Sequence, residues 1–475
     1  MAPAPALTFP RAPLRVHGAE RHYDVDGDGR VDFCLGPGRD AERLDVLQYD
    51  DDQDGRFDRS YRLSDHATAD VPHLIVLVDS LPFRIVAPRH AAGEWRWFAP
   101  PSKVIPPFPS LTEVICSRML QAPPLAGNIE RYYDRRSAAI ENLWVARAVG
   151  YEHPWQHRLD ASLRTYLEVG ASYVQPRPWY HGELAGVKHA FDNARGAVTL
   201  AYVVSSSPMV SRFGATGLDE CLDELERLCL QLMYERQGAL KLTIVSDHGH
   251  NLTPSTNFLM GDLLTAAGFR VVDRIEDPAH DVVLEIDGLI TYFGVHCARP
   301  AAVADVLLPR DEVELATYLS GETVVVRDRH GLATIERRGD AYRYRAAVGD
   351  PLGYAPVLAA LAAAGELDAE GFAPDAAWFR ATADATFPDG PRRLWLAFHG
   401  LVINPPQLLV TLRDGHCAGL ASMESFIAMA STHGGLNQIS SDAVVLTMAG
   451  ELPTCLRTED LLLRLEPRLQ SRLVR

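Results

Sequence analysis

Short apolar runs that break off at a polar residue place the strongest constraint on what this chain can fold into. Leu74-Ile-Val-Leu-Val78 ends at Asp79, Val198-Thr-Leu-Ala-Tyr-Val-Val204 ends at Ser205, and Leu242-Thr-Ile-Val245 ends at Ser246-Asp247. A strand buried on both faces of a parallel sheet reads as such an unbroken run, without alternation. Between the second and third runs, Leu218, Cys221, Leu222, Leu225, Leu228, Cys229 and Leu232 recur at helical spacing over Leu218 to Arg236. Strand, helix, strand makes a βαβ unit, so the spacing predicts a largely parallel sheet. Ala443-Val-Val-Leu446, after Asp442, reads as a later strand of the same sheet.

The texture changes three times along the chain. Residues 1–70 are rich in Asp, residues 71–274 and 412–475 carry the buried-strand runs, and residues 275–411 mix β-rich pieces such as Thr323-Val-Val-Val-Arg327 with Ala/Gly/Asp-rich stretches around Ala355 to Ala373. The expectation is an α/β core in an α/β/α sandwich, an inserted or capping region, and an N-terminal extension. A chain of 475 residues, 47% hydrophobic, can bury a core of that size. Its net charge of −16 leaves no surplus of Lys and Arg to displace counterions, which argues against duplex nucleic acid and anionic membranes as partners. No apolar stretch reaches the roughly 18 residues of a membrane span, and Met1 to Arg15 lacks the apolar run of a secretory signal, so a cytoplasmic protein is expected. Seven scattered cysteines without a CxxC pair disfavour both a disulfide framework and a thiolate zinc site.

The N-terminal extension contains an internal repeat. Asp24, Asp26 and Asp28 stand at positions one, three and five of one unit that closes on Asp32; Asp50, Asp52 and Asp54 do the same in a second that closes on Asp58. Alternate carboxylates followed by Gly are what a calcium loop uses. Leu35 and Tyr61 stand where an EF-hand would place its closing Glu, so a standard EF-hand is ruled out. Two readings stay open: a pair of calcium loops, or a pair of solvated Asp-Gly turns between short strands.

In open α/β sheets ligands bind at the carboxyl ends of the strands, which singles out Asp79 and the Asp247-His248 pair. One Asp after a strand is equally a helix cap or turn former. Two carboxylates with an adjacent His supply hard oxygen and imidazole ligands that suit zinc, or manganese as a harder alternative.

Leu77-Val-Asp79-Ser, Phe108-Pro-Ser-Leu-Thr112, Gly127-Asn128 with Tyr132-Tyr-Asp134, Ser246-Asp-His-Gly249 and Thr432-His433-Gly-Gly occur in one order between residues 71 and 449. In that order the chain resembles the type I phosphodiesterases/nucleotide pyrophosphatases of the alkaline phosphatase superfamily. The resemblance implies a metal held by Asp79, Asp247, His248 and the nucleophile Thr112, with Asn128 as a substrate-binding donor. It implies a small-molecule phosphate ester as substrate. Ser110 and Ser80 are alternative hydroxyls, and His250 is a spare ligand, a general acid or a loop residue. The family's second metal takes an Asp and a His four residues later, plus a His matching His433. Counting back from Gly214 puts Ser207 and Ser211 at the first two positions, and a neutral hydroxyl replaces neither a carboxylate nor an imidazole as a strong ligand. Two functions follow: a hydrolase working on a single tightly held ion, or a degenerate relative that survives as a binding or scaffold protein.

Overall fold

The structure, a computed structural model, describes residues 6–474 apart from 40–41, 68–69, 149, 164, 421–427 and 460. A six-stranded sheet forms its centre, built from β1 (His73–Val78), β2 (Ser102–Ile105), β3 (Val198–Val203), β4 (Lys241–Ser246), β5 (Ala443–Thr447) and β6 (Cys455–Arg457). Their order across the sheet is β3-β1-β4-β5-β2-β6. β3 and β4 pair in parallel with β1, β6 pairs in parallel with β2, and β5 runs antiparallel to both of its neighbours. The sheet is therefore mostly parallel. Within the segment 412–475 expected to return to this sheet, residues 421–427, 460 and 475 lie outside the described residues.

Every residue of β1 is buried, which is why the run reads as unbroken. Its side chains still alternate between two cores. Leu74, Val76 and Val78 join the apolar cluster of α1 (Phe83–Ala91) and the long helices α3 (Pro176–Asp192) and α4 (Ser206–Glu235), whereas Ile75 and Leu77 pack with α2 (Thr112–Met119) and the C-terminal helices around Leu461 to Leu473. Burying each such side chain is worth roughly 1.5–3 kcal/mol, so a one-residue slip of β1, exchanging the two faces, is strongly disfavoured. Helices on both faces of the sheet give an α/β/α sandwich. The helix expected from Leu218 begins earlier, at Ser206, and is broken at Gly214, whose φ of 59° and ψ of −135° suit glycine far better than any side-chain-bearing residue.

Of the four further sheets, the two largest flank the centre. Arg15–His17, Glu20–Tyr23, Phe33–Pro37, Leu44–Tyr49 and Arg59–Arg62 form an antiparallel meander in chain order, and the two Asp repeats are the loops that follow its second and fourth strands. This meander is pinned to the C-terminal end of α4: Tyr49 stacks on Tyr234 at 5.5 Å and donates its hydroxyl to the Tyr234 carbonyl at 2.9 Å. A nine-stranded, largely antiparallel sheet spans Arg270–Val271 to Leu408–Leu412 in the chain. Its core includes Phe108 and Leu111, so it braces the segment that leads into α2.

Candidate functional site

The carboxyl ends of β1 and β4 lie side by side because β1 and β4 pair in parallel, with Ser246 opposite Val78. Asp79 and Asp247 follow directly, both nearly fully buried, and His248 beside them is completely buried. Gly249 has no side chain because a Cβ there would lie 2.7 Å from the Asp442 carbonyl; the chain passes tight against the start of β5. Thr112 enters from the other direction as the first residue of α2, and of the four it alone is only half-buried.

Side-chain atoms of these residues converge. Thr112 Oγ1 lies 3.3 Å from Asp79 Oδ2 and 3.2 Å from His248 Nε2. His248 Nε2 lies 3.5 Å from Asp79 Oδ1 and 3.5 Å from Asp247 Oδ2. Tyr202, near the end of β3, donates its hydroxyl to Asp79 Oδ2 at 2.7 Å, and Ser80 donates to Asp79 Oδ1 at 2.6 Å. Asp247 Oδ1 accepts the backbone N–H groups of His248 and Ser80 at 2.8 and 3.2 Å.

Counting protons shows what this cluster lacks. His248 Nδ1 lies 2.9 Å from the Gly249 carbonyl, which can only accept, so Nδ1 carries a proton and Nε2 is left facing Thr112, Asp79 and Asp247. Asp247 Oδ2 is buried and has no hydrogen-bond partner. Asp79, Asp247 and His248 bring atoms able to ligate a metal within 4.8 Å of one another, and theirs is the one fully buried group of this kind among the described residues. Burial, and then the neighbouring Asp79, push the Asp247 carboxyl well above the usual carboxylate range. Acceptors crowded together with too few donors, one of them orphaned, fit a bound cation; a mixed carboxylate, imidazole and hydroxyl set suits a divalent transition metal.

The alternative hydroxyls point elsewhere. Ser110 Oγ is buried and held by the Arg393 guanidinium at 3.0 Å and the Gly435 carbonyl at 3.1 Å, and Ser80 Oγ is spent on Asp79. Asn128 is buried with its amide nitrogen 3.0 Å from the Tyr292 hydroxyl; its Oδ1 has no partner, and no hydrogen bond joins it to Thr112. His433 stacks on His248 at 3.8 Å between ring centres and donates from Nδ1 to the Ser110 carbonyl at 3.2 Å; it lies outside the acceptor group of Asp79, Asp247 and His248.

Where the sequence count put Ser207 and Ser211, the structure has a hydrogen-bonded network. Ser207 bonds the Tyr173 hydroxyl, whose pKa burial pushes up to about 12. Ser211 Oγ lies 3.3 Å from His250 Nε2, and Ser431 Oγ lies 2.5 Å from His250 Nδ1. Both ring nitrogens of His250 are thus occupied. Burial, then the proximity of His248, holds His250 and His433 well below the ordinary imidazole range, so both are neutral. Tyr173, Tyr202, Arg393 and Ser431 carry no motif. Tyr202 was the one open to anticipation, since it is a polar-tipped side chain one residue from the end of a buried strand.

In the Asp repeats the structure brings together Asp24, Asp26 and Asp32 in one loop and Asp50, Asp52 and Asp58 in the other. Asp28 and Asp54 stand outside these groups, each accepting from a backbone N–H two residues on, Arg30 and Arg56, at 2.8 Å.

Among the described residues, no helix is long and apolar enough to cross a membrane. No family model matches the chain, and no curated protein matches it. Among solved structures, it is similar to phosphonoacetate hydrolase from Sinorhizobium meliloti 1021 in complex with phosphonoformate, at 11% identity and a TM-score of 0.45 over 88% of this chain and 97% of that one. The same enzyme in complex with phosphonoacetate gives 12% identity and a TM-score of 0.45 over the same shares.

Proposed function

We propose that this chain is a metal-dependent hydrolase of small-molecule phosphate esters, with Thr112 as nucleophile and Asp79, Asp247 and His248 holding one divalent ion, zinc or manganese. The observation that carries the reading is the hydroxyl of the half-buried Thr112, 3.3 Å from Asp79 and 3.2 Å from His248, beside a fully buried group in which one carboxylate oxygen of Asp247 has no partner. A divalent cation held there would supply the positive charge that eases proton loss from a nearby hydroxyl. The chain's own residues supply the rest. Thr112 sits at the first position of α2, where the helix dipole favours negative charge on Oγ1. Asp79 Oδ2, 3.3 Å away, is in reach of the departing proton. The bond from Oγ1 to phosphorus forms as the ester oxygen leaves, and water then cleaves the phosphothreonine. Phe108 against Tyr292 at 5.9 Å, and Arg393 on Ser110, keep the preceding loop from drifting.

A second reading, a binding or scaffold protein without turnover, is favoured by the network on Ser207, Ser211 and His250, which stands where a second metal would be expected. Metal analysis with phosphomonoester and phosphodiester assays separates the two. The hydrolase reading expects about one equivalent of metal, and a loss of turnover of roughly a thousandfold or more in Thr112→Ala with the metal retained. Turnover that survives Thr112→Ala but not Asp247→Asn would overturn the nucleophile assignment, and neither metal nor turnover would leave the second reading.

A further inference from the structure

The two Asp loops of the N-terminal meander share a sequence pattern but differ in how their carboxylates are satisfied. In the first loop all six oxygens are hydrogen-bonded. Asp24 accepts from the backbone N–H groups of Gly27 and Gly29 at 2.6 and 2.8 Å. Asp32 Oδ2 accepts from Val25 and Asp26 at 2.5 and 3.2 Å. Asp26 Oδ1 accepts from Asp28 at 3.0 Å, and the Gln53 amide reaches across from the second loop to Asp26 Oδ2 at 3.1 Å and Asp32 Oδ1 at 3.5 Å.

The second loop has no such donor in return, because Gly27 stands at the position equivalent to Gln53. Its backbone takes one oxygen of each carboxylate: Gly55 N–H binds Asp50 Oδ2 at 2.9 Å, Asp54 N–H binds Asp52 Oδ1 at 3.1 Å and Asp51 N–H binds Asp58 Oδ2 at 2.8 Å. Asp50 is only 7% exposed, and its Oδ1 is buried with no hydrogen-bond partner. A buried carboxylate oxygen left unpaired is destabilising unless a positive charge meets it.

The geometry points to a calcium site in the second loop, formed by Asp50, Asp52 and Asp58, with no counterpart in the first. Oxygens of the three carboxylates lie within 4.8 Å of one another, a spacing that an ion with ligands at about 2.3–2.6 Å spans and one that demands about 2.0–2.1 Å does not fill. The donor set is all oxygen, which selects a hard cation over zinc. Asp52 and Asp58 are exposed, so the ion can enter and keep water on its outer side. Because Asp50 follows Tyr49, the residue stacked on Tyr234, the ion would stiffen the strand that holds the meander to α4.

Calorimetric titration of the full chain with calcium, after chelator treatment and removal of the chelator, tests this, with the unfolding midpoint followed in parallel. One equivalent is expected, with a midpoint that rises with calcium. Asp52→Asn and Asp58→Asn, both surface changes that leave the fold intact, should weaken binding at least tenfold and remove the rise, whereas Asp26→Asn and Asp79→Asn should keep both. Absence of binding, binding that survives Asp52→Asn and Asp58→Asn, loss of binding in Asp26→Asn, or loss in Asp79→Asn would each overturn the assignment. The hydrolase reading is untouched by any of these outcomes except the last, which would place the calcium at Asp79.

Discussion

Asp247→Asn has opposite consequences with and without metal, and the sign is fixed by the structure. Without metal, Asp79 and Asp247 present carboxylate oxygens within 4.8 Å of each other in a buried setting. At an effective dielectric of about 20, two unit charges at that distance repel by roughly 3.5 kcal/mol. Asparagine removes the repulsion and keeps the useful acceptor, since Oδ1 can still receive the N–H groups of His248 and Ser80. Its new amide hydrogens stand at the position of Oδ2, which has no partner in the native chain and faces His248 Nε2 at 3.5 Å. The chelator-treated variant is therefore expected to be more stable than the native chain by about 2–3 kcal/mol, a rise of several degrees in the unfolding midpoint. Saturating zinc or manganese reverses the order: at a thousand times its dissociation constant a ligand stabilises the native chain by about 4 kcal/mol, and the variant, short of one charged ligand, gains far less. Differential scanning fluorimetry of both proteins, with chelator and then with metal, reads the crossing directly. A chelator-treated variant less stable than the native chain, or equal gains from metal in both, would refute the reasoning.

Tyr202→Phe removes the hydroxyl that donates to Asp79 at 2.7 Å and leaves a buried carboxylate one donor short; metal affinity, read by chelator competition, should fall by about 10–100-fold with the fold preserved. Glu183 is buried where it accepts the backbone N–H groups of Val204 and Ser205, and burial raises its pKa from 4.5 to about 7. Its folded pKa exceeds the unfolded one, so the stability it contributes is complete below about pH 4.5 and is lost as pH rises through 7, by roughly 3 kcal/mol in all; denaturation midpoints across that window should lose this slope in Glu183→Gln. Arg393 donates to Ser110 Oγ and to the Pro388 and Leu436 carbonyls from a buried position, so Arg393→Met strands three acceptors and should lower unfolding free energy by about 2–5 kcal/mol in denaturant titrations.

Much of the central sheet was legible because the strands beside the site are buried on both faces and are centred on short apolar runs. β1 and β4 announce both their extent and the polar residue that ends them. β2 does not: Ser102-Lys103-Val104-Ile105 is short and half polar, and Lys103 reaches out to Asp384, so no apolar run marks it. The direction of β5 was equally invisible, since periodicity reports burial and carries no sign of chain polarity. At the site, Asp79 and Asp247 could be read because each directly follows a strand, and His248 because it adjoins Asp247. Asn128 fared differently: its motif gives the residue but not the Tyr292 hydroxyl that takes up its amide.

The pair Ser207 and Ser211 shows best what residue identity alone withholds. Reading them as missing ligands predicts an emptied half of a two-metal site, but in the fold both hydroxyls are engaged, with Tyr173 and with His250. Charge decides what such a region can hold. Asp79 and Asp247 together balance one divalent ion. A second would meet His433, held neutral and stacked on His248, and His250, whose two nitrogens are already committed to Ser211 and Ser431. Displacing that network would cost several hydrogen bonds and return no negative charge to offset the ion's desolvation. The stoichiometry expected of the catalytic centre, one ion per chain, thus rests on what replaced the ligands as much as on their loss, and a phosphoryl group above Thr112 would face neutral hydrogen-bonding side chains on that flank where a two-metal site would offer a cation.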